Sequence, residues 1–343
     1  MRLLHRFSVL FLASAVSMSM AACGGDEGDD DEGVIVPEGD HHQYVVSEVI
    51  LPKNASEGLD LDGKNGGDED VDNNLGSLLA VLAMNAGATG LDLQENLTEQ
   101  VQKGTILLLA DVQATALTSA NKVGMNVFLG SDPTPAACTD PAMQATCGKH
   151  LQGTGSFKVS STSPAAADSL ITGKIINGVF NGGPGKLTLQ IALEDGTAPI
   201  RIDLVGARAK LTVSDKGLDG VVAGGLTQKS LDDAVFPGIA TTVSGVMTRD
   251  CMLDKTAYPP CGCGVPLDEP KPPMVKTNAG KTIEGLFDVD HNCTVSALEV
   301  KTQKLLKDTF RLDVNLLGEE GAAPDALSLG VSVKAVNGTF TRP

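Results

Sequence analysis

The sequence predicts a mainly β protein with helices, of the α+β class, built on an antiparallel β-sandwich or jelly-roll-like domain. Eight short segments rich in β-branched and apolar residues follow one another between 105 and 226. Glycine, proline, asparagine or aspartate separates most of them, which is typical of strands joined by short turns. About 300 residues remain after an acidic N-terminal stretch, enough to bury a substantial core.

The expected strands fall into three groups along the chain. A first strand is expected at 44–51 and a last one at 326–340, because apolar and polar residues alternate in both. We expect the last strand to rejoin the sandwich. The central strands are expected at 105–117, 123–130, 155–161, 173–180, 186–193, 200–206, 209–214 and 218–226.

Two helices are expected between the first strand and the central ones. The first covers 74–84, with Asp72 or Asn73 as its N-cap, and the second covers 93–104. Glycine at position 104 is typical of a helix C-terminus, so the second helix should end there.

The C-terminal third is expected to be helical and irregular. Helices are predicted at 228–247, with an interruption at Pro237, at 279–287 and at 296–308. The whole segment 228–310 should therefore form a helical, cysteine-rich insertion. It would interrupt a single β-rich domain that spans 44–343.

The N-terminus has the composition of a targeting signal rather than of a folded segment. A basic start precedes a short apolar run, which is too short to span roughly 30 Å of hydrocarbon. The residues Met20-Ala21-Ala22-Cys23 then resemble a bacterial lipobox, in which the cysteine is acylated and becomes the mature N-terminus. The resemblance implies a signal peptide at 1–22 and, because Gly24 is not aspartate, attachment to the outer membrane. An ordinary secretory signal is the alternative.

An acidic stretch follows, and the chain as a whole is acidic. Six carboxylates lie within 26–32, so 23–43 is predicted to be a disordered tether that cannot bury apolar surface. The net charge is −17, and removal of Arg2 and Arg6 with the signal makes it −19. Such a charge opposes nucleic acid and anionic lipid, so the only expected membrane contact is the N-terminal lipid.

Six cysteines remain beyond Cys23, and an even number in an exported chain predicts disulfides. Cys138 and Cys147 are the expected pair because they flank a short loop. The other four could then pair in three ways. Zinc is the alternative for these four cysteines, with His291 as a further candidate ligand. The six cysteines are Cys138, Cys147, Cys251, Cys261, Cys263 and Cys293.

The segment 288–299, "DVDHNCTVSALE", fits the twelve-residue loop of an EF-hand. Oxygen-bearing side chains occupy places one, three, five, seven, nine and twelve, and helices are expected on both sides. We therefore hypothesise a Ca²⁺ site, although Ser296 and Glu299 could instead form a capping box at a helix start. The expected ligands are Asp288, Asp290, Asn292, Thr294 through its carbonyl, Ser296 and Glu299.

Cys293 occupies the sixth place of this loop, where glycine is usual. That place needs a positive φ, which costs a residue with a Cβ on the order of 1–2 kcal/mol. A disulfide could hold the loop there against this cost. Exported proteins meet millimolar Ca²⁺ and function with dissociation constants of roughly 10⁻⁴–10⁻³ M, so an imperfect loop is sufficient.

A second acidic loop lies at 59–76, where aspartates alternate with glycines. Crowded carboxylates repel one another unless a cation neutralises them, and glycine lets the backbone wrap around an ion. Divalent cations are thus the expected ligands here too, with a solvated loop as the alternative. The aspartates are Asp60, Asp62, Asp68, Asp70 and Asp72.

Together these features resemble a group of uncharacterised Gram-negative lipoproteins. The shared pattern comprises the lipobox, an aspartate-glycine turn after the first strand, a β-rich middle, a late calcium-like loop and a closing strand, which is here 325–331. The resemblance covers most of the chain and implies no activity.

Motifs that indicate catalysis are scarce. The chain has neither a G-x-S-x-G nor an H-E-x-x-H motif. It has no tryptophan and two tyrosines, which disfavours sugar binding on aromatic platforms. We therefore expect a structural or interaction role without catalysis, with an envelope protein or a glycan as partner. The alternative is a secreted hydrolase that uses a carboxylate pair.

Overall fold

The described part of the chain is discontinuous. The structure, a computed structural model, describes residues 35–54, 56–63, 71–76, 93–138, 147–191, 199–251, 261, 279–307, 310–318 and 321–342. The predicted signal peptide 1–22 and Cys23 lie outside these residues, as do most of the expected helix 74–84 and Cys263.

Nine strands are found in the described chain, and eight of them close a ring. Each of the eight pairs antiparallel with its two neighbours in the order β1-β2-β3-β5-β6-β7-β8-β9, and β9 pairs back onto β1. The strands are β1 (Asp40–Ile50), β2 (Leu108–Ala114), β3 (Ser119–Thr134), β4 (Gly155–Val159), β5 (Leu170–Ile176), β6 (Val179–Ile191), β7 (Ile200–Ser214), β8 (Gly217–Thr227) and β9 (Ala326–Phe340).

The predicted β-sandwich or jelly roll is therefore wrong, because the domain is a closed eight-stranded antiparallel barrel. Closure depends on two pairings between strands that are not consecutive in the chain. The first strand, β1, pairs with the last, β9, and β3 pairs with β5 rather than only with β4. A sandwich and a barrel share the same alternation of inward and outward residues along each strand. The alternation predicts strands, but it does not reveal which edges pair.

Three of the expected strands were also bounded incorrectly. The segment 173–180 is a hairpin rather than one strand, since Asn177 and Gly178 turn the chain at φ 52° and 79°. Conversely, 200–206 and 209–214 are one strand, β7, with a bulge at Gly206, whose φ is 58°. The expected strand 326–340 and the helix at 279–287 are confirmed.

The first strand begins earlier than the charge pattern indicated. Residues 40–43 fall within the segment 23–43 assigned to the tether, yet they belong to β1. Their backbones pair with β2, from Asp40 opposite Ala114 to Gln43 opposite Asp111. These ladder hydrogen bonds order a segment whose composition alone predicts disorder.

Alternation along the strands fills the inside of the barrel and covers part of its outside. Tyr44 and Val46 of β1 belong to the main core, together with inward side chains from the other barrel strands. Val45, between them, points to a second apolar cluster outside the barrel wall with Phe128 and Phe340. Strand β4 contributes Phe157 to this outer cluster and joins the end of β3 to the end of β9.

The end of β9 is fastened to the barrel wall by charge. The carboxylate of Asp111, 1% exposed, forms ion pairs with Arg342 Nε at 2.7 Å and with His41 Nδ1 at 3.0 Å. Burial raises the pKa of Asp111, while the charges of Arg342 and His41 oppose this.

The helices lie between β1 and β2 and between β8 and β9. Helix α1 (Leu93–Gln102) ends before Gly104, whose φ of 68° confirms the expected C-terminus. A helical turn (Gln228–Ser230) and a π-turn (Leu231–Val235) lead into α2 (Phe236–Cys251). The interruption expected at Pro237 lies instead in this π-turn, and α2 includes Pro237 in its first turn.

The last helices surround the calcium-like loop. Helix α3 (Ala279–Phe287) precedes it, and α4 (Ala297–Thr302) and α5 (Lys304–Lys307) follow it. The single helix expected at 296–308 is broken at Gln303, whose ψ of 123° is not helical. Among the residues that the structure describes, no helix combines the length and the apolar character that crossing a bilayer requires.

Candidate metal centres

Two turns of the chain each bring three carboxylates together. In the C-terminal acidic turn, residues 288–299, carboxylate oxygens of Asp288, Asp290 and Glu299 lie within 4.8 Å of one another. In the N-terminal acidic turn, residues 57–62 and 71–73, the same holds for Asp60, Asp62 and Asp72. Both turns were expected from the sequence. Asp68 and Asp70 lie outside the described residues.

Asp288 organises the start of the C-terminal acidic turn. It directly follows α3 and is 2% exposed. One carboxylate oxygen accepts the backbone N–H of Asn292 at 3.0 Å, and the other accepts that of Cys293 at 2.9 Å. Burial raises the pKa of Asp288, and the Asp290 carboxylate acts in the same direction, whereas these two N–H donors lower it. A bound cation would offset both the cost of burying the charged Asp288 carboxylate and its repulsion by Asp290.

Cys293 adopts the conformation expected for the sixth place of such a loop. Its φ is 69°, and that of His291 is 58°. The side chain of Cys293 is 3% exposed and forms a disulfide. The other described cysteines pair with one another, so its partner lies outside the described residues. The disulfide holds a cysteine where the backbone favours glycine.

Glu299 is engaged at the start of α4. Ser296 is the N-cap, and the two residues form the reciprocal capping box that was the alternative interpretation of this segment. Glu299 Oε2 accepts the N–H and the hydroxyl of Ser296, both at 2.8 Å, and Oε1 accepts the N–H of Val289 at 2.9 Å. Although burial raises the pKa of Glu299, these donors lower it below the ordinary value. The carboxylate therefore stays anionic, with Oε2 accepting two hydrogen bonds and Oε1 accepting that of Val289.

The remaining expected ligands form hydrogen bonds within the turn. Asn292 Nδ2 donates to Asp290 Oδ2 at 2.8 Å, and Asn292 Oδ1 accepts the N–H of Thr294 at 2.8 Å. The Ser296 hydroxyl is shared with Glu299. The structure thus gathers Asp288, Asp290 and Glu299 and leaves the three neutral side chains in supporting bonds.

Buried contacts fix the turn against α2 and α3. Val295, the expected apolar anchor, is 6% exposed, and its N–H donates to Ser244 of α2 at 2.8 Å. Glu284 of α3 is 2% exposed and contacts His291 Nδ1 and Lys281 Nζ, each at 2.6 Å. Sequence analysis did not identify Glu284, because its contact with His291 depends on the backbone reversal at His291.

The disulfides agree in part with the sequence. Cys138 and Cys147 are paired as predicted, and Cys251 pairs with Cys261. Because Cys251, Cys261 and Cys293 are all in disulfides, the zinc alternative is wrong for these sulfurs. A disulfide sulfur is not the thiolate that zinc requires.

In the N-terminal acidic turn, one carboxylate links the two arms. Asp72 pairs with Leu59 across a short bridge, and its Oδ2 accepts the N–H of Leu61 at 2.7 Å. Asp60 Oδ1 accepts the N–H of Gly63 at 2.7 Å. The chain therefore folds back on itself around the three aspartates.

Asn73 anchors this turn to β9. It is 2% exposed, its amide donates to the carbonyls of Glu57 and Gly330 at 2.6 and 3.2 Å, and its oxygen accepts the N–H of Gly330 at 2.8 Å. A Cβ on Gly330 would lie 2.9 Å from the Cα of Gly58. The absence of side chains at Gly58 and Gly330 thus allows the backbone of the turn to approach that of β9.

Asp313 is a fourth carboxylate that the sequence did not reveal. It accepts the N–H of Ser328 at 2.8 Å. Burial raises the pKa of Asp313 and of Asp72, and the charge of Asp62 raises both further. The charge of Asp313 also raises the pKa of Asp72. Asp313 lies about 240 positions from the turn in sequence, so no local pattern could have joined it to the other three.

Comparison of the chain with known protein families, with curated proteins and with solved structures finds no match. The class of molecule is therefore defined here by its own features. It is a closed antiparallel barrel with disulfides and two carboxylate-lined turns.

Proposed function

We propose that this is an exported, lipid-anchored protein of the outer membrane whose barrel and helical insertion are stabilised by Ca²⁺ in the two acidic turns. It serves a structural or interaction role rather than catalysis. The observation that carries this proposal is the convergence of three carboxylates within 4.8 Å in each turn.

Electrostatics supports a cation in both places. Like charges at about 4–5 Å repel by roughly 1 kcal/mol in water and by up to about 4 kcal/mol near a protein surface. In each turn one carboxylate already has a pKa raised by burial, Asp288 in one and Asp72 in the other. A divalent ion converts the mutual repulsion into attraction.

The donor set suits Ca²⁺ better than the softer metals. All the converging atoms are carboxylate oxygens, and Ca²⁺ accepts six to eight oxygens in flexible geometry, including backbone carbonyls and water. The internal hydrogen bonds of the C-terminal acidic turn already hold its carboxylates near the required positions. We therefore assign this turn the tighter site.

The anchor and the partner follow from the sequence. Cys23 would carry the lipid, and the acidic tether would separate the barrel from the membrane surface. The partner would be an envelope protein or a glycan. The alternative, a hydrolase that uses a carboxylate pair, stays a prediction from the sequence.

The test is calorimetric titration of Ca²⁺ into a soluble form that lacks residues 1–22 and carries Cys23→Ser. We expect binding with a dissociation constant of roughly 10⁻⁴–10⁻³ M. Asp290→Asn should remove the tighter site and Asp62→Asn the weaker one, because each deletes one charge from a trio. Asp168→Asn, an exposed aspartate elsewhere on the barrel, is the matched control. Equal titrations for all four proteins would refute the assignment.

A further inference from the structure

A polar cleft of about 500 Å³ lies on the outer wall of the barrel beside the N-terminal acidic turn. Its walls come from the turn itself and from strands β6, β7 and β8. Ligand sites for small molecules have volumes of roughly 300–1,000 Å³, so the cleft has the size for one. The side chains used below are those of Asp60, Asn181, Arg208 and Lys210.

Two cations of β7 line this cleft on the same face. Arg208 and Lys210 are two positions apart in the strand, so their side chains emerge on one side of the sheet, about 7 Å apart. Asn181 of β6 lies directly opposite Lys210 in the ladder. In a chain of net charge −17, this is a local concentration of positive charge and amide donors.

The contacts of Arg208 hold its side chain in position and leave its terminal nitrogens available to a ligand. Its Nε donates to the carbonyl of Leu61 at 3.3 Å, and Gly183, with φ 118°, packs against its stem. Within the described ranges, the terminal nitrogens of Arg208 and the ammonium of Lys210 have no hydrogen-bond partner. A guanidinium oriented by one backbone bond presents its remaining donors as a fork suited to an oxyanion.

The cleft is continuous with the N-terminal acidic turn. Leu61, whose carbonyl receives Arg208, donates its own N–H to Asp72 at 2.7 Å. Asp60 lines the cleft and also belongs to the carboxylate trio. A cation among the aspartates would therefore sit at the rim of the cleft, beside the two basic side chains.

We propose that this cleft binds a phosphate monoester together with the Ca²⁺ of the N-terminal acidic turn. Arg208 takes two phosphate oxygens through its fork and Lys210 pairs with a third, which balances the charge of the dianion, while the ion at Asp60 offsets most of the negative charge of the three aspartates beside it. A phosphate monoester presents three terminal oxygens to these partners, whereas a carboxylate presents two. The inference rests on the proposed function, because the unneutralised aspartates would repel the phosphate.

The probe is glycerol phosphate, titrated into the soluble form in the presence of Ca²⁺ or of a chelator. We expect binding with Ca²⁺ and none with the chelator. Arg208→Gln and Lys210→Gln should each weaken binding roughly tenfold or more, because a charge-assisted hydrogen bond contributes about 1.5–3 kcal/mol. Lys186→Gln, an exposed lysine on the neighbouring strand β6, should bind as the unaltered protein does. Thermal unfolding of each variant verifies that it is folded.

Variants of the two turns separate this inference from the proposed function. Asp62→Asn should abolish phosphate binding, and Asp290→Asn should leave it intact. If Ca²⁺ binds at the N-terminal acidic turn but glycerol phosphate does not bind, the inference is wrong and the proposed function stands. If Ca²⁺ does not bind in the absence of phosphate, both are wrong.

A second pair of measurements identifies the source of the phosphate. Vesicles containing phosphatidic acid carry a phosphate monoester on a lipid, and phosphatidylcholine vesicles do not. Ca²⁺-dependent binding to the former that Arg208→Gln removes would assign a lipid headgroup, provided that free glycerol phosphate binds more weakly. Stronger binding of free glycerol phosphate would assign a soluble ligand. Binding to the vesicles that Arg208→Gln does not alter would contradict the inference.

Discussion

At the scale of single residues, the most informative side chains are polar groups that the fold has buried. His150 is fully buried, stacks edge-on against Phe157, and neither ring nitrogen has a hydrogen-bond partner among the described residues. Burial lowers its pKa, and the nearby carbonyl of Val101 at the end of α1 opposes this. The neutral imidazole is therefore the form that the fold accommodates.

This burial predicts a pH dependence that one substitution removes. Since the pKa of His150 is lower in the folded state than its unfolded value of about 6.5, the unfolded chain binds more protons below that pH. Its contribution is thus fully present above about pH 6.5 and declines as the pH falls towards the folded-state pKa. His150→Leu should lose this decline, measured as urea unfolding free energies between pH 8 and pH 5. A constant difference between the two proteins across that range would contradict the prediction.

The carboxylates show how much of a site one sequence reveals. The spacing of Asp288, Asp290 and Glu299 was sufficient to predict their convergence, because all three lie within twelve residues. Asp313 and Glu284 were missed, since their roles depend on β9 and on the reversal at His291. Spacing within a short segment predicts which of its own carboxylates converge. Carboxylates from distant segments, such as Asp313, are identified only once the fold is known.

At the scale of elements, turns determine what the alternation pattern cannot. Asn177-Gly178 is a strong hairpin signal, and the segment 173–180 could have been divided there. Gly206 produces a bulge within β7 and was mistaken for the end of a strand. In both cases the strand composition was correct, and the interpretation of a glycine decided the boundary.

The docking of the N-terminal acidic turn on β9 depends on one asparagine. Asn73→Ala would leave the buried N–H of Gly330 and the partly buried carbonyl of Glu57 without these partners. At about 1–3 kcal/mol for an unsatisfied buried group, we expect a loss of roughly 2–4 kcal/mol in unfolding free energy. Denaturant titration measures this loss.

The matched control is Asn181→Ala on the barrel exterior, since within the described part of the chain the Asn181 side chain makes only a 3.4 Å hydrogen bond, to Val179 of its own strand. Its cost should stay within about 0.5 kcal/mol. A comparable cost for both substitutions would show that the Asn73 contacts contribute little to stability.

At the scale of the whole molecule, the barrel brings together what the chain separates. The first and last strands pair from Tyr44 with Asn337 to Ile50 with Ser332. This pairing places the N-terminal acidic turn, which follows β1, next to β9 and Asp313. Because such pairings join residues almost 300 positions apart, the sequence predicted the β content and missed the closure.

The helical insertion between β8 and β9 adds the second acidic turn to the same molecule. The Cys251–Cys261 disulfide lies within this insertion, and Glu284 of α3 contacts His291 of the turn. Each turn brings together three carboxylates whose mutual repulsion an ion would remove in the folded state. An ion in each would therefore stabilise the folded state as a whole.

The thermal unfolding temperature with Ca²⁺ and with a chelator tests this claim most directly. For a dissociation constant near 0.5 mM, about 5 mM Ca²⁺ contributes roughly 1.4 kcal/mol per site. We predict that Ca²⁺ raises the unfolding temperature by about 2–6 °C, and that Mg²⁺, which needs stricter octahedral geometry, raises it less. An unfolding temperature that is the same with Ca²⁺ and with chelator would contradict the account.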